Sequence, residues 1–181
     1  MNKKWSTKML AEGGIMIALS VLLSLIKIYQ MPNGGSVTAG SMVPLLLFSL
    51  KWGFLPGITV GTAYGIIDFI MKPSFYHPVQ ALLDYPVGYG LLGLAGVFYV
   101  MKEKDKTSDI VKIALGISIA VLGRMMAHVL SGVIFFAEYA GDMNPWLYSI
   151  GYNASFLVPE LLISLVIITL IWKPINRFIK G

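Results

Sequence analysis

The sequence predicts an all-α integral membrane protein: a single bundle of six transmembrane helices over residues 1–181, with both termini in the cytoplasm. Three observations carry that reading. Hydrophobic residues make up 56% of the chain, charged residues only 13%, and the mean hydropathy is +0.75, whereas soluble domains carry about 25% charged residues. Five stretches are long enough to cross a hydrocarbon core about 30 Å thick, which takes about 20 mostly apolar residues. The basic residues, finally, divide unevenly between the two ends of those stretches.

The elements follow in order. Met9–Ile28 comes after Lys3 and Lys4 as a signal peptide would, but it runs too long and lacks a small-residue cleavage site, so it reads as a retained helix. Ser41–Leu50 is short and ends at Lys51-Trp52-Gly53; it is either a brief helix or half of a helical hairpin with Trp52–Met71. Val79–Met101, Ile113–Ala137 and Trp146–Trp172 complete the six. If they alternate, Lys3, Lys4, Lys8, Lys51, Lys102, Lys104, Lys106, Lys112, Lys173, Arg177 and Lys180 share one side, and only Lys27 and Lys72 take the other. That is the positive-inside pattern of a plasma-membrane protein, with Tyr29–Gly40, Lys72–Pro78 and Glu138–Pro145 as outside loops and a hydrophilic cytoplasmic linker at 101–109. The formal charge of +5 is therefore topological, and no nucleic-acid partner is expected.

Several chemistries drop out. The chain has no cysteine, so disulfides, thiolate catalysis and Cys-ligated metals are excluded. It carries no G-x-x-x-x-G-K-[ST] motif, so ATP-driven work must come from another chain. A literal G-x-G-x-x-G at Gly88–Gly93 follows no strand and reads as close helix packing. Asn153-Ala-Ser155 matches a glycosylation sequon by chance inside an apolar segment. No metal and no cofactor are expected: His128 has no second histidine on its helix, and His77 lies in a loop.

Ionisable residues inside apolar segments are costly and usually functional. They are Glu12, Asp68, Asp84, Arg124, His128 and Glu160. Glu12 sits near the cytoplasmic end and reads as structural. Arg124, His128 and Phe135 share one helix face, with Ser131 and Gly132 a turn beyond His128; Ser149, Asn153, Phe156 and Glu160 form a stripe on the last helix. Both faces must point inward, and with Asp84 they meet Tyr85, Tyr89, Phe136, Tyr139, Trp146 and Tyr148 in the outer half of the bundle. A carboxylate, an imidazole, an amide and aromatic walls suit an organic cation with hydrogen-bonding groups. The competing reading makes Asp84, Arg124 and His128 a buried structural cluster. A catalytic Ser131-His128-Asp84 set lacks a nucleophile elbow, and no enzyme is expected. On the first helix, Ala11, Gly14 and Ala18 bring small side chains to one face, for packing inside the bundle or for docking a partner.

The runs MPNGGSVTAGSMVP (31–44), HPVQALLDYP (77–86), RMMAHVLSGVIFF (124–136) and WLYSIGYNASFLVPE (146–160) lie in order along almost the whole chain. Together they resemble the thiamine-specific substrate-binding subunits, ThiT type, of energy-coupling-factor (ECF) vitamin transporters. The resemblance implies a six-helix S component that captures thiamine outside and docks on a transmembrane coupling protein driven by two cytoplasmic ATPases. It implies that Asp84 binds the aminopyrimidine with Tyr85 beside it, that His128 lines the site, and that Gly132 makes room for the ligand. It further assigns Phe136 to stacking on the thiazolium, Tyr148 and Asn153 to the pyrimidine, Gly34, Gly35 and Ser36 to a lid, and Gly14 and Ala18 to docking. Asp84 stands where some members have glutamate and Phe136 where some have tryptophan. The alternative from another class is a self-sufficient secondary transporter or channel relaying protons through Asp84, Glu160 and His128.

Overall fold

In the computed structural model, residues 5–98 and 109–180 are described. Ser6 opens the first helix, its hydroxyl accepting the Met9 N–H at 3.2 Å, and α1 runs Thr7–Leu25. The expected continuation to Ile28 does not form. Ile26 takes an extended backbone, and Lys27–Gln30 becomes strand β1, antiparallel to β2, Ser36–Thr38. Aromatic and β-branched residues such as Ile28 and Tyr29 favour a strand once the helix has stopped. Gly34 and Gly35, at φ 95° and 84°, supply the left-handed turn between the strands. The expected outside loop Tyr29–Gly40 is thus largely a hairpin.

The short segment is a brief helix: α2 runs Val43–Trp52, two residues on from expectation, and α3 runs Phe54–Met71, starting two residues late and ending as expected, the two broken at Gly53 with φ 97°. Ten residues at 1.5 Å rise give α2 about 15 Å, half a hydrocarbon core. It is buried along most of its circumference, so it fills the bundle rather than meeting lipid.

The fourth expected helix is a succession of turns over residues 78–98, here called α4. Pro78 begins it, capped by His77, whose Nδ1 accepts the Val79 N–H at 3.2 Å. A π turn follows at Leu83–Val87, then short pieces at Gly88–Gly90, Leu91–Leu94 and Ala95–Phe98. Pro86 has no N–H to close the α-helical ladder, and the wider turn absorbs the loss. The glycines of α4 lie against those of α3. A Cβ on Gly61 would strike the Tyr89 carbonyl, one on Gly65 the Tyr85 carbonyl, and one on Gly93 the Ile58 amide. Gly90 and Gly93 of the G-x-G-x-x-G lie in this backbone-close seam, whereas Gly88 faces His128 and Arg124 on the next helix.

Helix α5 runs Asp109–Phe135 and, after a 3-10 turn at Ala137–Ala140, α6 runs Pro145–Lys180. Asn144 caps α6, its Oδ1 accepting the Trp146 N–H at 2.9 Å. The end of the fourth expected segment, all but the last residue of the linker at 101–109, and Lys3 and Lys4 lie outside the described residues.

Among the described residues four helices, α1, α3, α5 and α6, are long and apolar enough to cross a membrane. Their polarity is inverted relative to a soluble bundle. Leu122, Met126, Leu130 and Ile134 are exposed at four-residue steps on α5, as are Val158, Leu162, Val166 and Leu170 on α6, while Arg124, Ser131, Asn153 and Glu160 are buried. In water such stripes would be a large exposed apolar surface; in lipid they are the outer face of the fold.

Candidate functional site

The π turn of α4, the C-terminal half of α5, the first turns of α6 and the β1–β2 hairpin enclose a cavity of about 600 Å3, within the range that takes small organic ligands. Asp84, Tyr85, His128, Gly132, Phe136, Tyr148 and Asn153 all line it, as do Gly34, Gly35 and Ser36 from the hairpin. Gly14 and Ala18 lie elsewhere, exposed on the outer face of α1.

Asp84 is held from two sides. Gln80, one turn earlier, donates from Nε2 to Oδ2 at 2.6 Å, and His128 Nδ1 lies 3.2 Å from Oδ1. Arg124 Nε donates to His128 Nε2 at 3.3 Å. These contacts are all satisfied when the imidazole proton sits on Nδ1 and the Nε2 lone pair meets Arg124. Arg124 does not reach Asp84; its guanidinium lies 3.8 Å from the centre of the Tyr89 ring. Tyr89 donates to Asp68 Oδ2 at 3.0 Å, and Lys72 pairs with Asp68 Oδ1 at 3.8 Å while donating to Ser24. The Asp84–Arg124–His128 cluster is therefore a row joined through the imidazole, and all three residues line the cavity.

The aromatic residues divide into wall and fastener. Phe136 meets Tyr76 at 5.4 Å and Tyr139 at 6.1 Å, and His77 stacks on Phe135 at 4.8 Å, so the 72–78 loop closes one side of the mouth. Tyr85 offers its ring to the cavity. Its hydroxyl is already engaged, accepting the Ser74 N–H at 2.9 Å and donating to the Lys72 carbonyl at 3.0 Å. Tyr148 stacks on Tyr152 at 6.0 Å.

On α6, Asn153 Nδ2 donates to the Ser149 carbonyl at 2.9 Å, and among the described residues its Oδ1 has no partner. The space beside Gly132, expected to make room for a ligand, is occupied by Ser149: a Cβ there would strike the Ser149 hydroxyl, which donates to the Val129 carbonyl at 3.0 Å. Gly132 thus lets α5 and α6 approach as well as bordering the cavity.

Three side chains on this face hold the hairpin; Phe156 and Glu160 belong to the stripe expected to point inward, and Glu160 to the proton-relay alternative, but none was expected to hold a lid. The Tyr152 hydroxyl accepts the Asn33 N–H at 2.9 Å and donates to the Gly34 carbonyl at 2.8 Å. The Phe156 ring lies directly under Gly35, where a Cβ would approach it to 2.7 Å. Glu160, only 3% exposed, accepts from the Thr38 backbone N–H and, at 2.7 Å, from the Thr38 hydroxyl through Oε1, while among the described residues Oε2 has no partner. Their spacing of four was visible in the sequence, but their partners are more than 100 positions away and were not. Gln80 could have been found from its place one turn before Asp84 on the same face.

The described part of the site therefore offers carboxylate and amide acceptors between aromatic faces, under a glycine-turned hairpin, an arrangement suited to a cation bearing N–H donors.

Residues 10–180 match the model of a family described as "Thiamine transporter protein". The thiamine transporter ThiT of Bacillus subtilis is 36% identical over 190 aligned positions, which cover 100% of this chain and 98% of that protein. A thiamine transporter ThiT of Lacticaseibacillus paracasei is 27% identical over 137 positions, covering 70% and 68% respectively. A solved structure of ThiT from Listeria monocytogenes superimposes with a TM-score of 0.80 at 24% identity, over 92% of this chain and 93% of that one.

Proposed function

Since this chain belongs to the thiamine transporter protein family, we propose that it is the membrane-embedded subunit that captures thiamine from outside the cell and hands it to an ECF module. The observation that carries the reading is the convergence of Asp84, His128, Phe136, Tyr148 and Asn153 on one cavity. In this reading the second lone pair on each Asp84 oxygen accepts from the aminopyrimidine, the open Asn153 Oδ1 takes a second N–H, and the Phe136–Tyr76 wall faces the thiazolium. Tyr85 acts through its ring and by pinning the 72–74 backbone. The hairpin carrying Gly34, Gly35 and Ser36 is the lid.

Six membrane-inserted helices with both termini cytoplasmic fit the charge distribution. The cavity mouth is built by the hairpin and the 72–78 loop, the segments assigned outside by the positive-inside pattern. The chain has no nucleotide-binding motif, so energy enters through partners: a transmembrane coupling protein and two cytoplasmic ATPases. Gly14 and Ala18 suit the docking face, since both are exposed and a shallow groove of about 270 Å3 opens beside Gly14 between α1 and α3. The role is binding and delivery, without catalysis.

Isothermal calorimetry on the purified chain tests the ligand. Tight binding of thiamine with no response to riboflavin or biotin is expected; no heat with thiamine, or equal affinity for the others, overturns the proposal.

A further inference from the structure

Charges lining the cavity are unevenly matched. Asp68 has Lys72 at 3.8 Å and the Tyr89 hydroxyl. Lys27, at the mouth, donates to Gln30 at 3.0 Å. Asp84 is held by His128 and Gln80. Glu160 is different. Its Oε1 is filled by the Thr38 N–H and hydroxyl, its Oε2 is buried with no hydrogen-bond partner, and no cation lies within 4.0 Å of it among the described residues. Arg124, on the same cavity wall, attracts Glu160 only from beyond ion-pair distance, its guanidinium being engaged by Tyr89 and His128.

Holding β2 does not require a carboxylate. A glutamine would present Oε1 to the Thr38 donors equally well, and an uncharged group would avoid the cost of burying a negative charge without a directly paired counter-ion. A buried carboxylate with one oxygen fixed by the backbone and the other unmatched is oriented in advance and incomplete until positive charge arrives. Glu160 lies on the Asn153 face of α6, two turns deeper, among the residues that line the cavity.

We infer that Glu160 is a second ligand-facing carboxylate: the counter-charge that makes this cavity choose a cation over a neutral molecule of the same shape. The inference rests on the thiamine reading above and deepens it. Asp84 recognises the N–H donors of the ligand, while Glu160 recognises its charge. Because the same side chain holds Thr38, the counter-charge is presented only when the root of the hairpin is in place.

The test compares thiamine with its neutral isostere, in which the positively charged ring nitrogen is replaced by carbon, on wild-type protein and on Glu160→Gln. The substitution keeps an acceptor for Thr38. Thiamine affinity is expected to fall about tenfold or more and isostere affinity by no more than about threefold, because only the charged ligand loses its partner. Equal loss for both ligands, or none for thiamine, overturns the inference and leaves Glu160 as a hairpin anchor. If Glu160→Gln does not fold, Glu160→Asp, which withdraws the charge by one methylene, must show the same selectivity in smaller degree; equal losses there overturn it too. Wild-type protein that binds neither compound sinks the thiamine reading and this inference with it.

Discussion

Asp84→Asn is the sharpest test of the site, because the hydrogen bonds around this residue all run in one direction. Arg124 donates to His128 Nε2, His128 Nδ1 donates to Asp84, and Gln80 Nε2 donates to the other Asp84 oxygen. An asparagine brings one acceptor and one donor where two donors already point. Moving the imidazole proton to Nε2 would set it against Arg124. Flipping Gln80 would remove the acceptor that now receives the Tyr76 N–H at 3.0 Å. No arrangement of the described groups satisfies the variant, so one donor at the cavity wall goes unpaired, at a cost of about 1–3 kcal/mol to the empty protein. Bound ligand loses a hydrogen bond to a charged acceptor, about 1.5–3 kcal/mol, which is about 10- to 150-fold in Kd. Calorimetry gives the Kd, and a thermal melt of the empty protein gives the first cost. A folded variant whose thiamine affinity stays within about twofold of wild type would refute both the role of Asp84 and the directionality derived for its neighbours.

Phe136→Trp should tighten binding roughly two- to threefold, since indole is the better partner for a cation; a change confined to the neutral isostere would show that the gain is area, not charge. Gly35→Ala places a side chain at φ 84° and against the Phe156 ring. The left-handed backbone alone costs about 1–2 kcal/mol, so the variant should melt earlier and release ligand faster, as read by thermal shift and stopped-flow; unchanged dissociation would remove the hairpin from the lid role. Gly14→Trp meets nothing within 4 Å of the new Cβ. It should therefore keep thiamine affinity in the isolated chain and lose uptake when reconstituted with the ECF module, whereas normal uptake would put the docking face elsewhere. Proteoliposomes containing this chain alone should accumulate no thiamine under a pH gradient; accumulation would favour the proton-relay alternative through Asp84, Glu160 and His128.

What could be read from the sequence was the conflict between residue type and environment. Arg124, His128, Asn153 and Asp84 stand out in segments that otherwise avoid polarity, and helical spacing places them inward, so the cavity wall was foreseeable. The Pro86 disturbance was also legible, because a missing N–H has a local consequence. Features that depend on distant partners were hidden. Four residues, Lys27–Gln30, are too few to show the alternation that marks a strand. Glu160 stands out as a carboxylate in an apolar segment, but its partner Thr38 is 122 positions away and inconspicuous alone. Tyr85 could be placed at the site, but not the engagement of its hydroxyl by Ser74 and Lys72. Gly132 similarly suggested open space, which Ser149 from the next helix takes.

Tyr152, Phe156 and Glu160 fasten the hairpin at its turn, its last glycine and its root, and all three project from α6 at successive steps of four. The cover is therefore a passenger of that helix rather than of α1, from which its strand emerges. If the hairpin is the lid proposed above, a tilt or slide of α6 carries the roof and the Asn153 wall together, and the clearance between them is preserved. Freeing the ligand then requires the cover to come off its own helix, an event that general motion of the bundle in the bilayer does not cause.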